Sequence, residues 1–512
     1  MNINDVIAVE TLLAEGNHTA AAEKIDYALA ARANNTMALL LQSELELAKE
    51  RNGRAREFVE YALKAPLDSP RTAIKLLTVL TKLSESGLIR EICAQIPAHV
   101  WDSALSLAQV AHLLISVGDY DSAMKFAQAA VDRDRKHPQG LYALAMLKTF
   151  FGQLDDAAEL CREVLQEVPE DPGSWWLMSR LRQPNASARI DRLRDLTSRI
   201  NSSDSLVWLH YALHNELHDC GDFEPAWQAL SKACEIKRSA LSESRLNQLQ
   251  LFESLRTKFD WHHRTNESSY SHAVQPIFVI GLHRSGTTLA DQILAGHSEI
   301  ASGGETYDIR AQLRRTSRLH YGAELDLRII ERRNEFDYAA IGKNFCRGIA
   351  WRARGCKYVT DKLPSNYLNV GFIARALPSS KFICLSRDPI DVGFSSLRTL
   401  FSHAAPYSYD SADFVEHHRQ YEALMQHWRE CLPGRILEVK YDDLVRQPEQ
   451  TAREMAGFLG IDFQPNMLAL ESRTTPVATA SSVMVRDGIR TDRGRVWQPY
   501  AQHLTPLLQA FG

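Results

Sequence analysis

The chain has 512 residues, more than one hydrophobic core usually serves, so two or more domains are expected. With 45% hydrophobic and 24% charged residues its composition is globular, which excludes a disordered chain. A formal net charge of −4 excludes any whole-chain argument for nucleic acid or a membrane surface as partner.

No run approaches 18 consecutive apolar residues, and the N-terminal stretch carries Asp5 and Glu10 in place of a basic start and a long apolar core. Neither a transmembrane helix nor a signal peptide is expected. Cysteines stand singly at 93, 161, 220, 234, 346, 356, 384 and 431, without the close pairing that zinc or redox chemistry requires. Cys384 falls inside a predicted strand, where a thiol acts as a small hydrophobe, and a reducing cytoplasm fits this usage.

Residues 1–265 read as helical and repetitive. Small residues recur seven apart on one helix face, as Ala21/Ala28, Ala55/Ala62, Ala123/Ala130 and Ala226/Ala233. Ile89/Ile96 and Ala157/Val164 fill the intervening and following registers, giving five units at a 34-residue period. Gly16, Gly118, Gly152 and Gly221 each stand five residues before the first small residue, marking a turn between paired helices. A 34-residue helix pair is the tetratricopeptide signature, and such pairs bury a core only by stacking. Register is lost between Pro184 and Asp204 and returns one residue out at Ala226. This half is either a groove for a peptide or protein partner, or a stalk through which the chain self-associates.

Leu255 to Gln275, with Trp261, His262 and His263, reads as a linker into a second domain spanning 276–512. No third ligand stands near the two histidines, so no metal is expected there or elsewhere. Apolar runs at Ile277 to Ile280, Tyr358 to Thr360, Phe382 to Leu385 and Ile436 to Val439 alternate with helical stretches. That order predicts a parallel sheet covered on both faces, with ligands at the carboxyl ends of the strands. Between them, Ala323 to Arg354 reads as a helical insertion whose arginines form a solvated face. In Ala412 to Cys431, Tyr421, Leu424, Met425 and Trp428 recur at helical spacing and read as core.

The first strand runs into Gly281-x4-Gly286-Thr287-Thr288, a Walker A loop whose lysine is replaced by Thr287. Its amides and the helix behind them suit an anion, but the missing lysine disfavours a nucleoside triphosphate. A shorter anionic group is expected, with Arg284 as the fixed cation and Ser285 to Thr288 as the cradle. After the strand Phe382 to Leu385, Arg387 and Ser395 stand eight apart, one on a loop and one on the next helix, placed to grip a second phosphate.

These motifs resemble the sulfotransferases that use 3′-phosphoadenosine 5′-phosphosulfate (PAPS). Arg284 to Thr288 is similar to their 5′-phosphosulfate loop, and Arg387 with Ser395 to their 3′-phosphate pair. Gly304-Glu305-Thr306, Asp361-Lys362-Leu363-Pro364, Tyr421 with His427-Trp428, Tyr441-Asp442-Asp443-Leu444-Val445 and Ser481-Ser482 with Val485-Arg486 follow in order. Seven ordered motifs resemble most closely the tyrosylprotein sulfotransferases and bacterial relatives bearing tetratricopeptide repeats. The resemblance implies an all-α tetratricopeptide solenoid over 1–265 followed by a P-loop-like parallel α/β sulfotransferase domain. It implies PAPS as co-substrate, no metal, and a protein or peptide acceptor presented by the repeats. The membrane-anchored secretory location of the animal enzymes is not carried over.

The same resemblance implies roles. Glu305 matches the catalytic glutamate and is the candidate base, Arg284 and Lys362 are the candidate electrostatic stabilisers, and Ser481 is a hydrogen-bond donor to the bridging or sulfuryl oxygen. An acceptor phenol titrates near pH 10, roughly, so proton removal by a glutamate is expected to be concerted with transfer. Ser285, Gly286, Thr287, Thr288, Arg387, Ser395, Tyr441 and Arg486 are the remaining nucleotide-binding candidates, Arg486 opening a loop with Arg490, Arg493 and Arg495. His283 stands where the family commonly has proline, Asp487-Gly488 replaces a residue-proline pair, and Val496 separates Arg495 from Trp497. Two other readings stay open: an acceptor that is a small-molecule or glycan hydroxyl, and a repeat scaffold that binds nucleotide without turnover.

Overall fold

The helical half begins with pairs whose second members start 34 residues apart, at His18–Ala31, Asn52–Leu63, Ser86–Gln95, Tyr120–Arg133 and Leu154–Glu167. Short polar side chains start many of these helices: Asn17, Asn35, Ser69, Ser103 and Asp119 each accept a first-turn amide that has no partner within the helix. Most small residues of the repeat lie inside, with Ala21, Ala55, Ala62, Ala123, Ala130, Ala157, Ala226 and Ala233 fully buried, while Ala28 is half-buried. In the expected turns Gly16, Gly118, Gly152 and Gly221 have φ between 74° and 81°, the left-handed region. Glu50 (φ 58°) and Ser84 (φ 60°) occupy the same turn at the same period without being glycine. The register break shows as a short helix, Pro172–Arg180, and left-handed Arg182 and Asn185 before Ala186–Arg199.

The structure, a computed structural model, describes the chain apart from residues 66, 68, 97–100, 102, 242–244, 260–273, 402–404, 472, 474 and 487. Most of the expected linker, including Trp261, His262 and His263, lies outside the described residues, as does Asp487. The chain forms two compact units that do not follow its order: Met1–Ala143 with Tyr307–Trp351, and Leu144–Thr306 with Arg352–Gly512.

In the first unit Val6, Val9, Ala21, Ile25, Met37, Ala38, Leu41 and Leu45 pack as one apolar cluster. Tyr307–Trp351 joins the early repeats, and its structure corrects the solvated-face reading of Ala323 to Arg354. Four pieces, Leu327–Glu331, Arg333–Glu335, Tyr338–Ile349 and Ala350–Ala353, replace a long helix. Arg328 bonds Glu50 at 2.6 Å and Asp326 at 2.7 Å, and the Arg90 guanidinium lies 4.2 Å over the Trp351 ring. The repeats supply Glu50 and Arg90 to these contacts, and Asp326 comes from the insertion itself. Glu50 thus holds its strained turn while its carbonyl accepts the His320 amide at 2.9 Å.

The second unit holds the later repeats and a five-stranded parallel sheet in the order β2-β3-β1-β4-β5. The strands are β1 (Gln275–Gly281), β2 (Ile300–Ser302), β3 (Tyr358–Asp361), β4 (Lys381–Ser386) and β5 (Ile436–Lys440). Four contain the expected apolar runs; β2, three residues long, shows no period to read. On one face Ile277, Val279, Ile383, Leu385 and Val439 pack on Ala290, Ile293, Leu294, Leu444 and Met455. Tyr421, Leu424, Met425 and Trp428 are buried as expected, and Trp428 Nε1 donates to the Tyr367 carbonyl at 2.9 Å. Cys384 is buried in β4, its thiol pushed up to about 12 by desolvation. All eight cysteines are free thiols. Among the described residues no helix is long and apolar enough to cross a membrane.

β1 and β4 lie side by side, yet the chain leaves β1 toward β2 on one side and β4 toward β5 on the other. A crevice opens at their carboxyl ends, where open α/β sheets bind ligands.

Candidate active site

The loop after β1 is built tightly. Gly281 pairs with Leu385 of β4, and the Ser285 amide closes a turn onto the Leu282 carbonyl at 3.2 Å. Arg284 takes φ 73°, uncommon outside glycine and a conformation that accumulates at functional sites. Gly286 (φ 105°) caps helix Thr287–Leu294 without a side chain, so the first amides of that helix are left for another acceptor. A Cβ on Gly286 would lie 2.4 Å from Tyr441 Cδ2; the Tyr441 ring, at the start of the helix after β5, covers the loop. Thr287 and Thr288 are buried, and Thr288 Oγ1 meets Thr479 Oγ1 at 3.4 Å.

Arg284 is the hub of the crevice. Its Nε donates to Ser395 Oγ at 2.9 Å and its Nη1 to Ser481 Oγ at 2.8 Å, joining residues 111 and 197 positions away. Among the described residues no carboxylate lies within ion-pair distance of it. Burial lowers its pKa to about 10, and repulsion from Arg387, Arg180 and Arg398 adds to that, while Tyr441 opposes it. A buried guanidinium among like charges is an arrangement an anion would stabilise.

Arg387 stands at the end of β4, its guanidinium 4.3 Å over the Tyr441 ring. It donates to the Arg493 carbonyl at 2.8 Å and faces Asp391 at 3.6 Å. The hydroxyl of Ser395 therefore meets Arg284 rather than Arg387. The terminal nitrogens of Arg486 donate to the carbonyls of Arg473, Thr475 and Phe150, at 2.7 to 2.9 Å, and to none of the loop residues.

Glu305 and Lys362 come from β2 and β3. The turn after β2 is pinned to β3 by the Gly303 amide on the Thr360 carbonyl (3.0 Å) and by the Lys362 amide on the Gly304 carbonyl (2.9 Å). Thr306 Oγ1 donates to Asp361 at 2.9 Å, and Arg352 reaches the Gly303 carbonyl at 3.2 Å. Lys362 Nζ donates to Glu305 Oε1 at 2.5 Å, the lysine side chain 1% and the glutamate 35% exposed. One carboxylate is thus held at the crevice wall by a cation wholly inside it.

Two contributors went unread in the sequence. Asp291 is 2% exposed on the helix behind the loop and accepts from Ser302 Oγ at 2.7 Å and from Thr360 Oγ1, locking β2 and β3 under the glutamate turn. A charged residue inside the apolar stretch Leu289 to Leu294 was its signal. His283, noted only as a departure from the family's proline, is buried with Nδ1 3.1 Å from the Tyr407 hydroxyl. Burial lowers its pKa to about 4; Glu305 opposes the shift, and Lys362 and Arg284 reinforce it. All three charged groups therefore lie around one imidazole.

Residues 276–465 match the model of the Sulfotransferase family, and residues 8–70 and 114–181 match tetratricopeptide-repeat models. An uncharacterised protein of Aquifex aeolicus (strain VF5) is 25% identical over 399 residues, 76% of this chain and 52% of its own. Protein-tyrosine sulfotransferase 2 of Gallus gallus is 27% identical over 209 residues, 40% of this chain and 55% of its own. The chain spans about half the length of these curated relatives. Among solved structures, the "Sulfotransferase Domain from the Curacin Biosynthetic Pathway" aligns with a TM-score of 0.32 at 20% identity, over 47% of this chain and 99% of that one. The chain thus carries regions similar to tetratricopeptide repeats followed by a region similar to the Sulfotransferase family.

Proposed function

We propose that the protein is a PAPS-dependent sulfotransferase acting on an acceptor hydroxyl, a tyrosine of a protein or peptide. The observation that carries this reading is the convergence of the Lys362–Glu305 pair with the Arg284–Ser395–Ser481 cluster at the ends of β1, β3 and β4. The residues present fit a nucleotide with two anionic ends: Ser285 Oγ and Arg387 Nε are buried without a hydrogen-bond partner, and Gly286 leaves a cradle beneath Tyr441. When bound, the donor supplies the sulfuryl group, its bond to phosphate oxygen breaking as the acceptor oxygen bonds to sulfur.

The protein's part is position and charge. Glu305 takes the acceptor's hydroxyl proton, and its partial exposure lets a substrate reach it. Lys362 fixes that carboxylate and faces the negative charge that develops on the transferring group. Arg284 and Ser481 hold the bridging and sulfuryl oxygens, and the amides of Ser285 to Thr288 hold the 5′-phosphate. Arg387, stacked on Tyr441, and Ser395 serve the 3′-phosphate, with Arg486 shaping the loop that encloses the nucleotide. We assign 276–512 to transfer and 1–265 to the repeats, which present the acceptor; the cytoplasm, reducing toward the free thiols, is the proposed compartment.

Tyrosine as acceptor is supported by the relatives named protein-tyrosine sulfotransferases. The test incubates the protein with PAPS and tyrosine peptides, and measures 3′,5′-adenosine bisphosphate release and peptide sulfation. Sulfation of tyrosine but not of phenylalanine-substituted peptides is expected. Bisphosphate binding without any transfer would refute the proposal and favour a nucleotide-binding scaffold.

A further inference from the structure

The segment that carries Ser481 is held by the later repeats. The Val477 amide donates to the Phe150 carbonyl at 3.0 Å, and Arg486 donates to the same oxygen at 2.7 Å. Phe150 ends helix Pro138–Phe150, where carbonyls lack helical partners and the dipole favours a cation. Between these two anchors, Arg180 Nη2 donates to the Ala480 carbonyl at 2.9 Å.

Arg180 is itself braced. It ends helix Pro172–Arg180, and its guanidinium lies 4.6 Å over the Trp176 ring, which meets Trp208 edge to face at 5.1 Å. A planar cation stacked on indole has few rotamers left to lose when it bonds a carbonyl. Ala480 directly precedes Ser481, whose hydroxyl takes the Arg284 Nη1 hydrogen bond. The Arg180 charge is also among those repelling Arg284, which puts it beside the cluster of cations there.

We propose that Arg180 is a positioning residue of the transferase site supplied by the repeats: it fixes Ser481 through the Ala480 carbonyl and adds its charge to the cluster around Arg284. The later repeats are then part of the active site's wall as well as a surface for partners. This inference rests on the role given to Ser481 under the proposed function.

The test uses the full chain with Arg180→Ala and Arg180→Gln. Hydrogen exchange without ligand is expected to run about tenfold faster across 477–486 in both variants, the loss of one charge-assisted hydrogen bond, with the strands unchanged. Unchanged exchange across 477–486 in both variants overturns the proposal, and the Gln variant decides should Ala loosen the whole fold. With PAPS and a tyrosine peptide, Arg180→Ala is expected to lower kcat about tenfold with little change in the peptide KM, and to cost clearly less in a Ser481→Ala background, where only its charge is lost. Full additivity with Ser481→Ala overturns the proposal. A wild type that releases no bisphosphate sinks the proposed function, while exchange still judges Arg180; a wild type that turns over, with variants indistinguishable from it, sinks Arg180 alone.

Discussion

Acid should weaken this fold through His283, and burial sets the size of the effect. The imidazole is 6% exposed, and desolvation lowers its pKa from 6.5 to about 4. Protons therefore bind the unfolded ring more tightly, so the penalty is absent above about pH 6.5 and grows as pH falls toward 4. At pH 5 the unfolded ring is almost fully protonated and the folded ring about one-tenth so. That difference amounts to about 2 kcal/mol, rising to about 3 below pH 4. His417, lowered to about 3 and stacked 3.6 Å from Tyr407, adds to the same acid limb. The wild-type curve alone is thus not diagnostic, and the comparison must be with His283→Gln, which cannot titrate but can still bond the Tyr407 hydroxyl. Urea unfolding of both proteins at pH 7 and pH 5 measures it, each referred to its own stability at pH 7. The variant should lose about 2 kcal/mol less than the wild type between the two. Equal losses would show that His283 does not titrate as its surroundings require.

Glu305→Gln should lower sulfate transfer by about 10²-fold or more while bisphosphate affinity, by calorimetry, stays within about twofold; an unaltered rate would remove Glu305 as base. Arg387→Ala should weaken 3′,5′-adenosine bisphosphate by about tenfold or more with ATP binding poor in both proteins. Equal affinity in wild type and variant would refute the phosphate role of Arg387. Gly286→Ala meets both a left-handed backbone and Tyr441 Cδ2 at 2.4 Å, so it should abolish bisphosphate binding and lower stability by about 1–3 kcal/mol. Binding at wild-type strength would mean the ring moves aside at no cost.

Much of the architecture was legible because it rests on local rules. Four strands are apolar runs long enough to see, and the repeat helices declare themselves by small residues and by turns with a fixed handedness. What escaped depends on partners distant in sequence. Ile300 to Ser302 becomes a strand only because β3 lies alongside it. The spacing of Arg387 and Ser395 puts both at the crevice but cannot say which guanidinium takes the hydroxyl; Arg284, 111 residues away, does. The arginines after Ala323 looked solvated because Glu50 lies 278 residues from Arg328. Arg486 sits in a basic loop, yet its terminal nitrogens face main-chain carbonyls, a use that composition does not distinguish from binding phosphate.

The contact between Arg486 and Phe150 closes a loop of 336 residues. During synthesis at about 5–20 residues per second, the helices that receive residues 477–486 exist for tens of seconds before their counterpart is made. In that interval the carbonyl of Phe150 and the stacked Arg180 lack their contacts to residues 477–486, and Arg284 has no Ser481 to bond. A nascent chain can therefore hold folded repeats and a paired sheet while lacking part of the proposed transfer site. The order of translation delays the site's completion, and contacts this distant in sequence are expected to form late in a denatured chain refolding in dilute buffer as well. Recovery of native fluorescence from helices and sheet should then run ahead of any recovery that depends on Ser481.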